Sequence, residues 1–145
     1  MKFTLETEIN CPLKKVIVLF DNPNNLHKWQ PELVSFVHLS GKPGQVGARS
    51  KLKYRMENRD FEMVETIVKR NLPDEFSGVY ETQGMKHVII NRFAAAGTKK
   101  TNWIVENEIT FSGFAKIMSI FMRGYMRKQV QKTLNQFKKF AEDQK

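Results

Sequence analysis

The feature that most constrains this chain is a change of period. Up to about residue 111, apolar residues alternate with polar ones in short stretches. From Phe114 to Ala141 they recur every third or fourth position instead. Period two marks a half-buried strand, and a period near 3.6 marks an amphipathic helix. A sheet with one apolar face needs a cover, and one long helix is the element available to provide it.

Residues 2–10 open the pattern, with Phe3, Leu5 and Ile9 on one side and Lys2, Thr4, Glu6 and Glu8 on the other. Pro12 suits the first turn of a helix, and Val16, Leu19 and Phe20 follow at helical spacing. A second short helix is expected over Asn24 to Trp29, between Asn22-Pro23 and Pro31. Strands are then expected at 33–40, 48–56, 61–70, 75–82, 85–94 and 99–111. Their connections are short: the Gly41 to Gly47 loop, Glu57 to Asp60, Pro73-Asp74, Gln83-Gly84 and a turn at Gly97. Connections of that length imply an antiparallel meander. The 41–47 loop lacks both the spacing and the lysine-serine ending of a phosphate loop, so it is not read as a nucleotide site.

The last segment carries Phe114, Ile117, Met118, Phe121, Met122, Tyr125, Met126, Val130, Leu134, Phe137 and Ala141 among lysines, arginines and glutamines. It predicts one helix from near Gly113 to near Glu142, roughly 45 Å long. The stripe also admits a coiled coil, but the flanking positions do not alternate in sign. A seven-stranded sheet curls through its twist. The helix is therefore expected to fill the concave side as part of the core, with Phe121 buried.

Composition removes several classes of function. The chain has 145 residues, 41% hydrophobic and 27% charged, which fits one folded domain. No apolar run approaches the roughly 20 residues that span a bilayer, and no signal peptide is expected. Cys11 is the only cysteine, so no intrachain disulfide forms, and a reducing cytoplasm is the simplest setting. His27, His38 and His87 sit in separate elements without metal-ligand spacing. No metal or other cofactor is expected. The formal charge of +9 is spread from Lys2 to Lys145, without interleaved aromatics for base stacking. It reads as solvated surface with no specific nucleic-acid partner. Peripheral contact with an anionic membrane stays open.

The order and spacing of these elements resemble the SRPBCC superfamily, also called START-like or birch-pollen-allergen-like. Within it the pattern is most similar to the polyketide cyclase/dehydrase and lipid transport group. The resemblance covers nearly the whole chain. It rests on Pro12 with Val16, Leu19 and Asp21, on Asn25 to Trp29-Gln30-Pro31, and on the Gly44-Gln-Val-Gly47 loop. Pro73, the Thr101-Asn-Trp103 strand and the final helix complete it. Ile17 stands where the family often has tryptophan. The resemblance implies an α+β helix-grip fold: a seven-stranded curved antiparallel sheet wrapped on a long C-terminal helix, with two short helices between strands 1 and 2. It implies a single ligand-binding domain over 1–145 and a deep cavity between sheet and helix.

Strand parity selects the side chains that would line such a cavity. Taking the side opposite the charged residues as concave collects Tyr54, Met56, Met63, Tyr80, Ile89, Asn91, Trp103, Val105 and Asn107. The helix adds Met118, Phe121, Met122 and Tyr125. An apolar wall with a few placed polar groups is the usual make-up of a ligand pocket. Ordinary core packing explains the methionine and aromatic stripe equally well. Glu65, His87 and Tyr80 are the only candidates for acid–base chemistry. Asn91 and Asn107 either orient a ligand or hydrogen-bond within the wall.

Three functions follow. The first is binding or transport of a small hydrophobic ligand, lipid-like or polycyclic. The second is a cyclase or dehydratase. The third is a protein-interaction module of the chaperone-activator type. A monomer and a homodimer both fit.

Overall fold

The computed structural model describes residues 1–144. Strand β1 (Lys2–Ile9) leads into α1 (Leu13–Asp21), a 3-10 turn at Pro23–Asn25, and α2 (Leu26–Trp29). Six strands follow: β2 (Leu33–Ser40), β3 (Arg49–Met56), β4 (Arg59–Asn71), β5 (Glu75–Thr82), β6 (Met85–Ala95) and β7 (Thr101–Phe111). Helix α3 (Phe114–Asp143) closes the chain. This is the expected helix-grip order. The fourth strand starts two residues earlier than its sequence pattern suggests. Glu57 and Asn58 both take the left-handed conformation, with φ of 51° and 64°, and so form a two-residue hairpin turn. Arg59 and Asp60 are thereby free to pair with Met56 and Arg55.

All neighbours in the sheet are antiparallel, in the order β1-β7-β6-β5-β4-β3-β2. The first strand thus lies beside the last, and α1 and α2 carry the chain from one sheet edge to the other. Gly113, at φ 59° and ψ −139°, turns the corner from β7 into α3 in a conformation open essentially to glycine alone.

The core occupies one end of the concave face. Phe20 of α1 is its centre, with ring centroids 4.9 Å from Phe93, 5.7 Å from Phe137, and 5.9 Å from both Phe76 and Trp103. Ile9, Val16, Trp29, Leu134 and Ala141 complete the packing. Asp21 fixes α1 to β4 through two hydrogen bonds donated by the Arg70 guanidinium, at 2.6 and 2.5 Å.

Helix α3 departs from the sequence expectation. Its second half is seated, with Leu134, Phe137 and Ala141 buried. Its first half is not. Phe114 and Phe121 are each 78% exposed, Ile117 65%, Met118 43% and Tyr125 42%. The cause is geometric. The run Met118, Met122, Met126, Val130, Leu134 advances by four residues at each step, and each step turns about 40° further round the helix. Phe121 consequently lies about 160° round the axis from Phe137. What reads as one stripe is two, on nearly opposite sides. The expectation of a core-facing Phe121 is overturned by this precession.

Candidate functional site

Cross-strand register shows which side chains share the concave face, because directly paired residues point the same way. A row runs Ser50, Glu65, Tyr80, His87, Ile109 across β3 to β7. The concave rows on either side of it are Leu52, Met63 in one direction and Ile67, Gly78, Ile89, Asn107, Phe3 in the other. Tyr54 pairs with Phe61, Asn91 with Val105, and Phe93 with Trp103. Tyr54, Met56, Met63, Tyr80, Ile89, Asn91, Trp103, Val105 and Asn107 therefore all belong to one face.

They do not share one environment. Trp103, Val105 and Asn91 are buried in the packed end of the sheet. Tyr54, Met56, Met63 and Tyr80 lie toward the other end and keep part of their surface accessible, and Ile89 lies between the two, in part packed against the core. That end faces the first half of α3. Met122 is half-buried, whereas Phe121 is directed to solvent.

The polar groups fall into two sets. In the first, the Tyr80 hydroxyl donates to Glu65 Oε2 at 2.7 Å. Gly78 gives the Tyr80 ring its space, since a Cβ at that position would stand 3.2 Å from a ring carbon. Burial pushes the Glu65 carboxyl above its ordinary value, and the bond from Tyr80 opposes this in part. Burial, reinforced by the Glu65 carboxylate, pushes the Tyr80 phenol well up. Both side chains still keep some accessible surface. The Tyr54 phenol is also raised by burial, and its hydroxyl donates to Gln30 Oε1 at 2.7 Å.

In the second set the wall satisfies itself. Asn107 Nδ2 donates to the Val105 carbonyl at 3.1 Å, so its Oδ1 is left to accept from His87 Nε2 at 2.8 Å. His87 then carries its proton on Nε2 and presents Nδ1 as an acceptor. Burial lowers the His87 pKa, and the bond to Asn107 offsets part of that shift. Asn91 Nδ2 donates to the Phe76 carbonyl at 3.2 Å, and its Oδ1 accepts from Trp103 Nε1 at 3.1 Å. Both ends of both amides are thus occupied by the wall.

The structure brings Glu65, Tyr80 and His87 side by side on adjacent strands. It adds Phe61, Ser50 and Gly78, which were not among the sequence candidates. Phe61 stacks on Tyr54 at 5.5 Å. The Glu57-Asn58 turn fixes that pairing, and its length was the missing signal. Among the described residues no group of three His, Cys, Asp or Glu side chains is arranged to hold a metal ion.

Comparison with known proteins agrees with this architecture. A family model described as polyketide cyclase/dehydrase and lipid transport matches residues 1–142. No curated protein matches the chain. Among solved structures, the Zhui aromatase/cyclase of a Streptomyces species superposes with a TM-score of 0.83 at 9% identity, covering 98% of this chain and 93% of that one. A START superfamily protein from Mycobacterium smegmatis gives 0.81 at 9% identity, with 99% of each chain covered. Norcoclaurine synthase from Thalictrum flavum, solved with dopamine and hydroxybenzaldehyde, gives 0.75 at 12% identity, covering 100% of this chain and 88% of that one. Likeness at such identities is a likeness of fold. The family match carries further: the chain belongs to the polyketide cyclase/dehydrase and lipid transport family.

Proposed function

We propose that residues 1–145 form one ligand-binding domain that holds a small hydrophobic molecule, lipid-like or polycyclic, against the Tyr54–Met63–Tyr80–Ile89 part of the concave sheet. One observation carries this reading. Large side chains of the wall keep accessible surface there, beneath a helix whose own Phe114, Ile117 and Phe121 face away. The family's description as lipid transport and polyketide cyclisation supports the same ligand class. Apolar walls supply affinity, and the Tyr80–Glu65 pair gives a polar group of the ligand its one fixed partner. The lone cysteine is consistent with a cytoplasmic setting.

The test uses an uncharged naphthalene-based fluorescent probe with the full chain. Saturable binding is expected, and Ile89→Trp, which fills the groove, weakens it roughly tenfold. A folded protein that binds no such probe, or binds it equally well with Ile89→Trp, refutes the groove as a ligand site.

The Tyr80–Glu65 contact favours a second reading, as an acid–base enzyme of the cyclase or dehydratase type. A carboxyl with a raised pKa holds a proton closer to neutral pH than an ordinary glutamate, and can return it to a reacting oxygen. Turnover of a polyketide-like ketone that is lost in Glu65→Gln, with probe binding retained, would establish it.

A further inference from the structure

The solvent-facing side of α3 carries exposed apolar residues at its start and exposed lysines further along. Phe114, Ile117, Phe121 and Tyr125 form an exposed apolar face, with Met118 at its margin. Lys128, Lys132 and Lys139 continue that same side of the helix toward its C-terminus, since all lie within about 60° of Phe121 round the axis. All three are exposed and make no ion pair among the described residues. From Phe114 to Ala141 the helix has seven lysines and arginines and no acidic residue at all. Lys138 is committed to Glu142 and to the Glu8 carbonyl, and Arg127 lies over the Phe3 ring. The outward lysines have no such duty.

We infer that this face docks on an anionic lipid bilayer, with Phe114, Ile117 and Phe121 entering the interface and Lys128, Lys132 and Lys139 meeting acidic headgroups. Interfacial helices combine these two features: apolar bulk on one side and cations placed to reach the headgroups. The distribution sets the pose, with the helix start deeper than its end. Charge argues against a second copy as the occupant. Two such helices face to face would set the six outward lysines of the pair against a single outward carboxylate per copy, Asp143. The start of α3 also lies beside the β5–β6 turn, where Ser112 N–H donates to the Gly84 carbonyl at 2.9 Å. The docking surface stands independently of the groove's ligand.

The test is flotation of the full chain with vesicles of phosphatidylcholine alone, and of phosphatidylcholine mixed with phosphatidylglycerol. Flotation with the mixed vesicles only is expected. The double variant Ile117→Asp, Phe121→Asp lowers partitioning roughly tenfold or more, and Lys128→Gln and Lys132→Gln lower it about fivefold each. The melting midpoint and naphthalene-probe binding stay unchanged in all of these, because the altered residues are exposed and lie outside the groove. The inference is overturned by an absence of flotation with anionic vesicles, or by flotation that survives the aspartates. It is also overturned if the aspartates abolish a dimer, or binding to an acidic protein, while vesicles are ignored.

Discussion

Tyr80 and Glu65 are joined across adjacent strands by a 2.7 Å hydrogen bond in which the phenol donates to the carboxylate. The pair sits under strong desolvation, which raises the pKa of both groups. A phenol with a raised pKa remains a donor at every physiological pH. A carboxyl whose pKa is raised by burial is an acceptor whose charge depends on what else enters the groove.

This pair has a pH signature. The folded state holds the Glu65 proton more tightly than the unfolded chain does, so stability falls as pH rises from the ordinary glutamate value of 4.5 through the raised folded value, and is level above it. Glu65→Gln removes that slope and stabilises the protein at neutral pH. Tyr80→Phe removes the bond that favours the carboxylate, so the Glu65 titration moves to still higher pH. Carboxyl chemical shifts followed by NMR, together with urea midpoints across the acid range, test both.

His87 contributes with the opposite sign. Burial lowers its folded pKa below the ordinary 6.5, so the unfolded chain takes up the proton first on acidification. Its contribution is present above pH 6.5 and is lost as pH falls through the lowered folded value. The difference in unfolding free energy between wild type and His87→Gln should shrink across that window. A difference independent of pH would show that the ring is not held neutral.

Asn107→Ala should destabilise by about 1–3 kcal/mol, because it leaves the buried His87 Nε2–H without its acceptor. The loss should appear as a lower denaturation midpoint with an unchanged m-value. A side chain reserved for a ligand would instead alter binding and leave stability intact.

The two phenylalanines of α3 should behave differently. Phe137 has no exposed surface and contacts Phe20, Trp29 and Trp103, so Phe137→Ala is expected to cost about 3–5 kcal/mol. Phe121→Ala should stay within about 0.5 kcal/mol of wild type. Paired denaturant titrations decide this. Equal losses would mean that the first half of the helix is seated on the sheet.

The same contrast shows what sequence makes legible. Strand parity is robust because a period of two does not drift: Leu52, Tyr54, Glu65, Tyr80, His87 and Asn107 share the face that alternation assigns them. A helix is less forgiving. Spacings of four look regular in the sequence, yet each overshoots a full turn, and over the steps from Met118 to Leu134 the overshoot carries the apolar residues to the other side. The amide partners were hidden for another reason. Nothing local to Asn91 or Asn107 announces that Trp103 Nε1 and His87 Nε2 are their donors, because those contacts depend on register between strands. The turn at Glu57-Asn58, which sets one such register, has no glycine to mark it.

The precession of α3 also divides the helix by its tolerance of change. After about Val130, a substitution on the inner side is read by the core, and only residues of similar volume and polarity keep the fold intact. Before it, the outer side can exchange apolar for polar residues without penalty to folding. In a saturation scan scored for folded protein alone, the boundary between intolerant and permissive inner and outer faces should fall within a single unbroken helix, with no loop, proline or change of secondary structure to mark it.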